Sequence, residues 1–110
     1  MKVQAITRYI RISPRKVREV TREIQGLPAV RALELLQFVP RKAARLVSRT
    51  LRSAIGNAET NGKLSRESLK VQEAVVGNGA IIRRFSTRAR GASSMIRKRT
   101  SHIKIILSDE

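Results

Sequence analysis

An α+β fold is what this sequence predicts: three helices packed on a small antiparallel sheet, with a long β-hairpin protruding from it. Three observations predict it. The first dozen residues alternate as a strand does. The middle holds three stretches with apolar residues at helical spacing, parted by Gly26 and Pro28 and then by Pro40. The last third is β-branched and basic, and it carries no Asp or Glu from Ala74 to Ser108. The chain's 110 residues suit one domain on size grounds.

Residues 2–12 place Val3, Ala5, Thr7 and Tyr9 on one parity and Ile6, Arg8, Ile10 and Ile12 on the other, which reads as a strand. Ser13-Pro14 then signals a helix start. A serine can cap free backbone N–H groups, and proline suits the first helical position because its missing N–H would have had no partner. Val17, Val20, Thr21 and Ile24 follow at helical spacing, and Gly26 and Pro28 end the run. A second helix is expected over about 28–38, with Val30, Leu33 and Leu36 inward. A third is expected over about 41–60. Its Ala44, Val47, Leu51, Ala54, Ile55 and Ala58 fall within an arc of about 100°. Arg41, Lys42, Arg45, Arg49 and Arg52 mark its basic side, and Asn61-Gly62 stops it.

Beyond a polar loop, Leu69 to Val76 reads as a strand, and Gly77-Asn78-Gly79 as a bulge or kink. The basic segments Ala80 to Arg90 and Ala92 to Leu107 then make the two arms of an antiparallel hairpin with its turn near Arg90-Gly91. At about 3.3 Å per residue, arms of about ten residues project on the order of 30 Å. A lone two-stranded ribbon is marginal in water, so this one is expected to take its order from what it binds. The single domain thus divides into a body of about residues 1–79 and 102–110 and a hairpin of about residues 80–101.

Charge narrows the function. The chain has 24 Lys and Arg against 8 Asp and Glu, a formal net charge of +16. The acid-free run alone holds Arg83, Arg84, Arg88, Arg90, Arg97, Lys98, Arg99 and Lys104. Such a run repels itself in water and is balanced by a dense polyanion, of which nucleic acid is the commonest. A hydrophobic share of 41% separates the chain from a disordered basic tail. An aromatic share of 3% counts against a base-stacking platform that reads single strands and favours backbone contact. With no Cys, thiolate metal sites and Cys nucleophiles are excluded, and the lone His102 cannot build a zinc site, so no metal and no cofactor is expected. No apolar run approaches the roughly 20 residues that cross a bilayer. The first residues lack a signal-peptide apolar stretch, so a cytosolic location is expected.

Three constellations carry the binding hypothesis. The hairpin arms can thread between RNA helices with arginine forks on phosphate oxygens; the plainer alternative is a charged loop that keeps the chain soluble. The run Arg8-Tyr9-Ile10-Arg11-Ile12-Ser13-Pro14-Arg15-Lys16-Val17-Arg18 is a strand-to-helix junction. Its helix N-terminus also favours phosphate, with Arg15, Lys16 and Arg18 adding charge. The stripe on the third helix has no acid between Arg41 and Glu59, unlike an ordinary mixed-charge wet face. His102 reads more readily as a hydrogen-bonded structural residue than as a catalyst. No paired carboxylates, nucleophile set or phosphate loop is present, so no enzyme and no small-molecule substrate is expected.

These residues resemble a known family. Ile12-Ser13-Pro14-Arg15-Lys16-Val17-Arg18, Ser53-Ala54-Ile55-Gly56-Asn57-Ala58-Glu59, Arg88-Ala89-Arg90-Gly91 and Lys98-Arg99-Thr100-Ser101-His102-Ile103 are similar to segments of the L-twenty-two family of large-subunit ribosomal proteins, in its bacterial form. The last segment is the most specific, and the similarity spans essentially the whole chain. The resemblance implies binding to large-subunit rRNA across several of its domains and an early part in subunit assembly. It also implies neighbouring ribosomal proteins as partners and a hairpin lying along the peptide exit tunnel, with the nascent peptide near its tip.

Carried onto this chain, the tunnel-lining tip is Arg84, Arg88, Ala89, Arg90 and Gly91. The expected rRNA contacts join those the resemblance carries over, Arg83, Arg84, Arg88, Arg90, Lys98, Arg99, Thr100, Ser101 and His102, to those read from charge, Arg8, Arg11, Ser13, Arg15, Lys16, Arg18, the third-helix stripe and Arg97. The chain departs from the family pattern at Gly77-Asn78-Gly79-Ala80, at Thr87 in place of a proline, and at Ala92-Ser93-Ser94. Two readings of other classes share the charge. A DNA-compacting protein with a minor-groove arm often has a wedge proline at the arm tip, and Arg90-Gly91 has none. A membrane-active cationic domain needs a strong apolar face, whereas Ile81, Ile82, Phe85, Met95 and Ile96 are scattered among polar residues.

Overall fold

A computed structural model describes residues 2–87 and 93–109, with side chains described for residues 2–79 and 99–109. Among them the chain runs β1 (Lys2–Ile10), α1 (Pro14–Ile24), α2 (Ala29–Phe38), α3 (Lys42–Thr60), a 3₁₀ turn at Arg66–Ser68, β2 (Lys70–Thr87) and β3 (Ser93–Ser108). The sheet order is β1-β3-β2, and both pairings are antiparallel. The helices cover one face of this sheet, which is the α+β arrangement the sequence predicts.

The most apolar strand takes the centre. Ile103, Ile105 and Leu107 of β3 are fully buried. Each lies in a cross-strand row: Val3, Leu107 and Val71; Ala5, Ile105 and Ala74; Thr7, Ile103 and Val76. α3 packs over these rows through Ala43, Ala44, Val47, Thr50, Leu51, Ala54, Ile55 and Ala58, all buried. Burial of this kind contributes about 25 cal/mol per Å² of apolar surface removed from water. The polar members of the core are paired. Thr50 Oγ1 donates to Leu46 O at 3.1 Å and shares a 2.7 Å hydrogen bond with Thr7 Oγ1.

α1 buries Val17, Val20, Thr21 and Ile24 and is tied to β2 by Gln25 Nε2 donating to Ala74 O at 3.0 Å. It ends where Gly26 turns to φ +83°, a left-handed conformation that glycine enters at little cost. The link to α2 then pairs with the start of β2. Gly26 N–H donates to Val71 O, Val71 N–H to Leu27 O, and Ala29 N–H to Leu69 O, all at 2.8–2.9 Å. This clamp brings α2 close, so Ala29 and Ala32 fill its inner face beside Leu36, and Val30 and Leu33 are only half-buried. Leu33 still packs against the core, as expected, and only the expectation for Val30 is corrected.

One strand detail differs from the sequence pattern, and the bulge expected at Gly77-Asn78-Gly79 is present. In β1 the parity of Val3, Ala5 and Thr7 breaks before Tyr9. Thr7 pairs with Ile103 and Ile10 with Ser101, so Arg8 and Tyr9 together oppose His102 in a bulge. Ile10 is therefore buried and Tyr9 exposed. β2 passes through Gly77-Asn78-Gly79 as one strand, with its register shift between Asn78 and Ile81. A Cβ on Gly79 would collide with the Thr100 hydroxyl and press on its backbone, so the bulge requires the missing side chain. Beyond it the β2–β3 hairpin pairs from Ile81–Arg99 to Thr87–Ser93. The molecule measures 61 × 26 × 17 Å. The turn expected near Arg90-Gly91 lies outside the described residues.

Candidate nucleic-acid interface

The start of α1 and the start of α3 face one another across an open cleft of about 850 Å³. Arg11, Ile12, Ser13, Lys16, Glu19, Arg41, Lys42, Ala43 and Arg99 line it. Five of these carry positive charge and one, Glu19, negative. Glu19 Oε2 accepts a 2.6 Å hydrogen bond from Arg41 Nη1, an exposed ion pair that joins α1 to the N-cap of α3. Such pairs contribute little to stability, and here the pair fixes where the Arg41 guanidinium stands. Nothing in the sequence marked Glu19, because the pairing joins residues from two separate helices.

The expected serine cap does not form. Ser13 has cap-like backbone angles (φ −69°, ψ 142°), but its side chain makes no bond to the helix, and Arg41 at the start of α3 makes none either. Both helix starts thus present first-turn N–H groups without a side-chain cap, where partial positive charge adds to that of the cations. The junction is held from below instead. Ser101 is fully buried and its hydroxyl donates to Ile12 O at 2.6 Å.

A second cleft of about 670 Å³ runs between the end of α2 and the basic side of α3. Arg41, Lys42, Arg45, Arg49 and Arg52 line it with Gln37, Ser48 and apolar residues, and no acid does. Arg41 and Lys42 border both clefts, so the two form one cationic surface. Arg15, Arg18 and Arg99 border a smaller hollow of about 230 Å³ beside Asn78 and Gly79. Arg18 also donates to Val76 O at 3.3 Å, which ties it to the base of β2.

The fold therefore gathers Arg11, Ser13, Arg15, Lys16, Arg18, Arg41, Lys42, Arg45, Arg49, Arg52 and Arg99 on one side of the body. It sets Arg8 and His102 apart, on the sheet face away from the helices. Thr100 and Ser101 are buried, so their side chains support the surface rather than line it. On the hairpin the backbone places Arg83 opposite Arg97 and Lys98 opposite Ile82. Arg88, Ala89, Arg90 and Gly91 lie outside the described residues. His102 is hydrogen-bonded, with its Nδ1 accepting the Tyr9 N–H at 3.1 Å. Among the described residues no three His, Asp or Glu side chains gather as a metal site needs, and no helix is long and apolar enough to cross a membrane.

The family model described as ribosomal protein L22p/L17e matches residues 5–108. The chain belongs to this family. It is 50% identical over 109 residues to the large ribosomal subunit protein uL22 of Opitutus terrae, covering 99% of this chain and 96% of that protein. It is 48% identical over 110 residues to the uL22 of Akkermansia muciniphila, covering 100% and 98%. The uL22 of Chloroflexus aggregans is 46% identical over 110 residues, with 100% and 97% covered. Membership in this family makes the chain an RNA-binding ribosomal protein of the bacterial type, with a structural rather than catalytic role.

Proposed function

We propose that this chain binds large-subunit rRNA across several of its domains and helps the subunit assemble early. In this reading its hairpin lies along the wall of the peptide exit tunnel, near the nascent peptide, with other large-subunit proteins as neighbours. The observation that carries the reading is the continuous cationic surface that joins two uncapped helix starts to the α3 stripe, with Glu19 its one acid. Open clefts lined in this way suit a sugar–phosphate backbone, since their side chains offer charge and forked donors. Recognition is thus by position and shape, with most contacts to phosphate and sugar. The hairpin extends the same chemistry away from the body and pins converging rRNA segments.

Binding of the full chain to a bacterial 23S rRNA transcript tests the first part. Six to ten phosphate contacts are expected to weaken affinity by about 10³ to 10⁵ between 50 and 200 mM salt. A nearly flat dependence, or equal binding to duplex DNA in competition, overturns the reading. Sucrose-gradient fractionation with detection of this chain is expected to find it stoichiometric in the large subunit. A photocrosslinker placed at Arg90 tests the tunnel assignment, with capture of nascent peptide as the expected result.

A further inference from the structure

The open face of the sheet carries a feature that the cationic clefts do not explain. The chain's only tyrosine and its only histidine meet there. Their ring centroids are 4.9 Å apart and their planes stand at 87°, an edge-to-face contact. Tyr9 is 66% exposed in spite of that contact. Its backbone sits at φ +56°, a conformation that costs free energy for a bulky residue and that persists only where the surroundings enforce it. Two features enforce it here: the bulge that sets Arg8 and Tyr9 against one residue of β3, and the bond from Tyr9 N–H to His102 Nδ1. That bond requires a lone pair on Nδ1, so the neutral ring carries its proton on Nε2, free to donate elsewhere.

On its other side His102 faces a residue without a side chain. Its partner on β2 is Gly77, and a Cβ built there would meet nothing nearer than His102 Cβ at 3.9 Å. Tyr9, His102 and Gly77 thus form a shelf across all three strands, walled by a ring at one end and lacking a side chain at the other. Cations flank it: Arg8 shares the bulge, and Lys104 lies one row along the same face. Glu73, the acid on this face, is two rows away from His102.

We propose that this shelf holds one unpaired nucleobase of the rRNA, packed against the His102 and Tyr9 rings over Gly77. Arg8 and Lys104 take the flanking phosphates. An apolar protein side chain would suit the rings but would leave those two cations unanswered, whereas a nucleotide satisfies both. The inference rests on the rRNA-binding reading and adds a stacking site to it. The low aromatic content counted against stacking when residues were only tallied; the fold concentrates two of the few rings at one point. Sequence-specific RNA proteins use such rings on splayed-out bases, and stacking has a signature of its own. It changes affinity without releasing counterions, so it leaves the salt slope alone.

The test measures binding of the full chain to a 23S rRNA transcript over a range of salt. Tyr9→Leu and Gly77→Val are each expected to weaken binding about tenfold at every salt concentration with the slope unchanged, while Tyr9→Phe stays within about twofold of the native chain. Gly77→Val keeps Tyr9 in place and adds a strand-favouring residue where only an ordinary contact awaits, so it decides the matter should Tyr9→Leu fail to fold. Native-like affinity in Gly77→Val, or a loss that comes with a shallower slope, overturns the shelf while leaving rRNA binding intact. Absence of salt-dependent binding by the native chain overturns both.

Discussion

The two sides of α3 differ in both burial and charge. One side buries Val47, Leu51, Ala54 and Ala58 to zero exposure. The other, a turn away, carries Lys42, Arg45, Arg49 and Arg52 exposed along a cleft with no acid. The buried side holds the free protein together by removing apolar surface from water, an effect that salt barely screens. The cationic side does nothing for the free protein, since like charges on one face repel. In the proposed reading it stabilises only the assembled state, where phosphates answer it. On that reading one helix serves folding and binding through separate side chains, and substitutions should separate the two.

The largest separation is expected from Leu51→Ala. Removing a fully buried leucine should destabilise the fold by about 2–5 kcal/mol, read from chemical denaturation, with the salt slope of rRNA binding unchanged under conditions where the variant is folded. Thr50→Val sharpens the picture on the same side. It removes the partner of the Thr7 hydroxyl in a buried setting and should cost about 1–2 kcal/mol, again without effect on binding slope. Replacing Arg45 and Arg49 together by Gln reverses the pattern. Stability should stay within about 0.5 kcal/mol, while the slope of log affinity against log salt falls by about 2. A large stability loss in that variant would show that the two sides are not independent.

The smallest effect lies beyond the far end of the helix. The Ser65 hydroxyl, which donates to the Glu67 carboxylate, together with the Glu67 backbone and Arg66, holds that carboxyl below its usual range. A lowered folded-state value means the contribution is present at neutral pH and is lost as pH falls through that value. Ser65→Ala should raise the Glu67 titration midpoint in an NMR titration, with rRNA binding unaffected at neutral pH.

How much of this was legible beforehand depends on the range of the interaction. The span of α3 and its buried arc follow from periodicity, because helical spacing alone sorts side chains by face. The ends of α1 were marked by Pro14 and Gly26, whose backbone preferences are local. The basic stripe was visible for the same reason. The α2 core was legible only in part: periodicity placed Leu33 and Leu36 inward, yet the clamp between Leu27, Ala29 and β2 sets how close the helix stands and gives the innermost places to Ala29 and Ala32 rather than Val30. The Ser13 cap failed likewise, since propensity names the residue that can cap and not the hydroxyl's final partner.

Charge and apolar spacing, read along the chain, determined that this protein folds as α+β and meets a polyanion, because both properties sum over neighbouring residues. The tertiary structure alone decided which cations share a cleft, that Glu19 stands among them, that Thr100 and Ser101 face inward, and that Tyr9, His102 and Gly77 form one shelf. Those outcomes join residues up to 93 positions apart, as the bond from Tyr9 to His102 does, and a one-residue bulge in β1 was enough to turn Tyr9 outward. Register across strands is set by packing of the whole sheet, and no short stretch of sequence contains it.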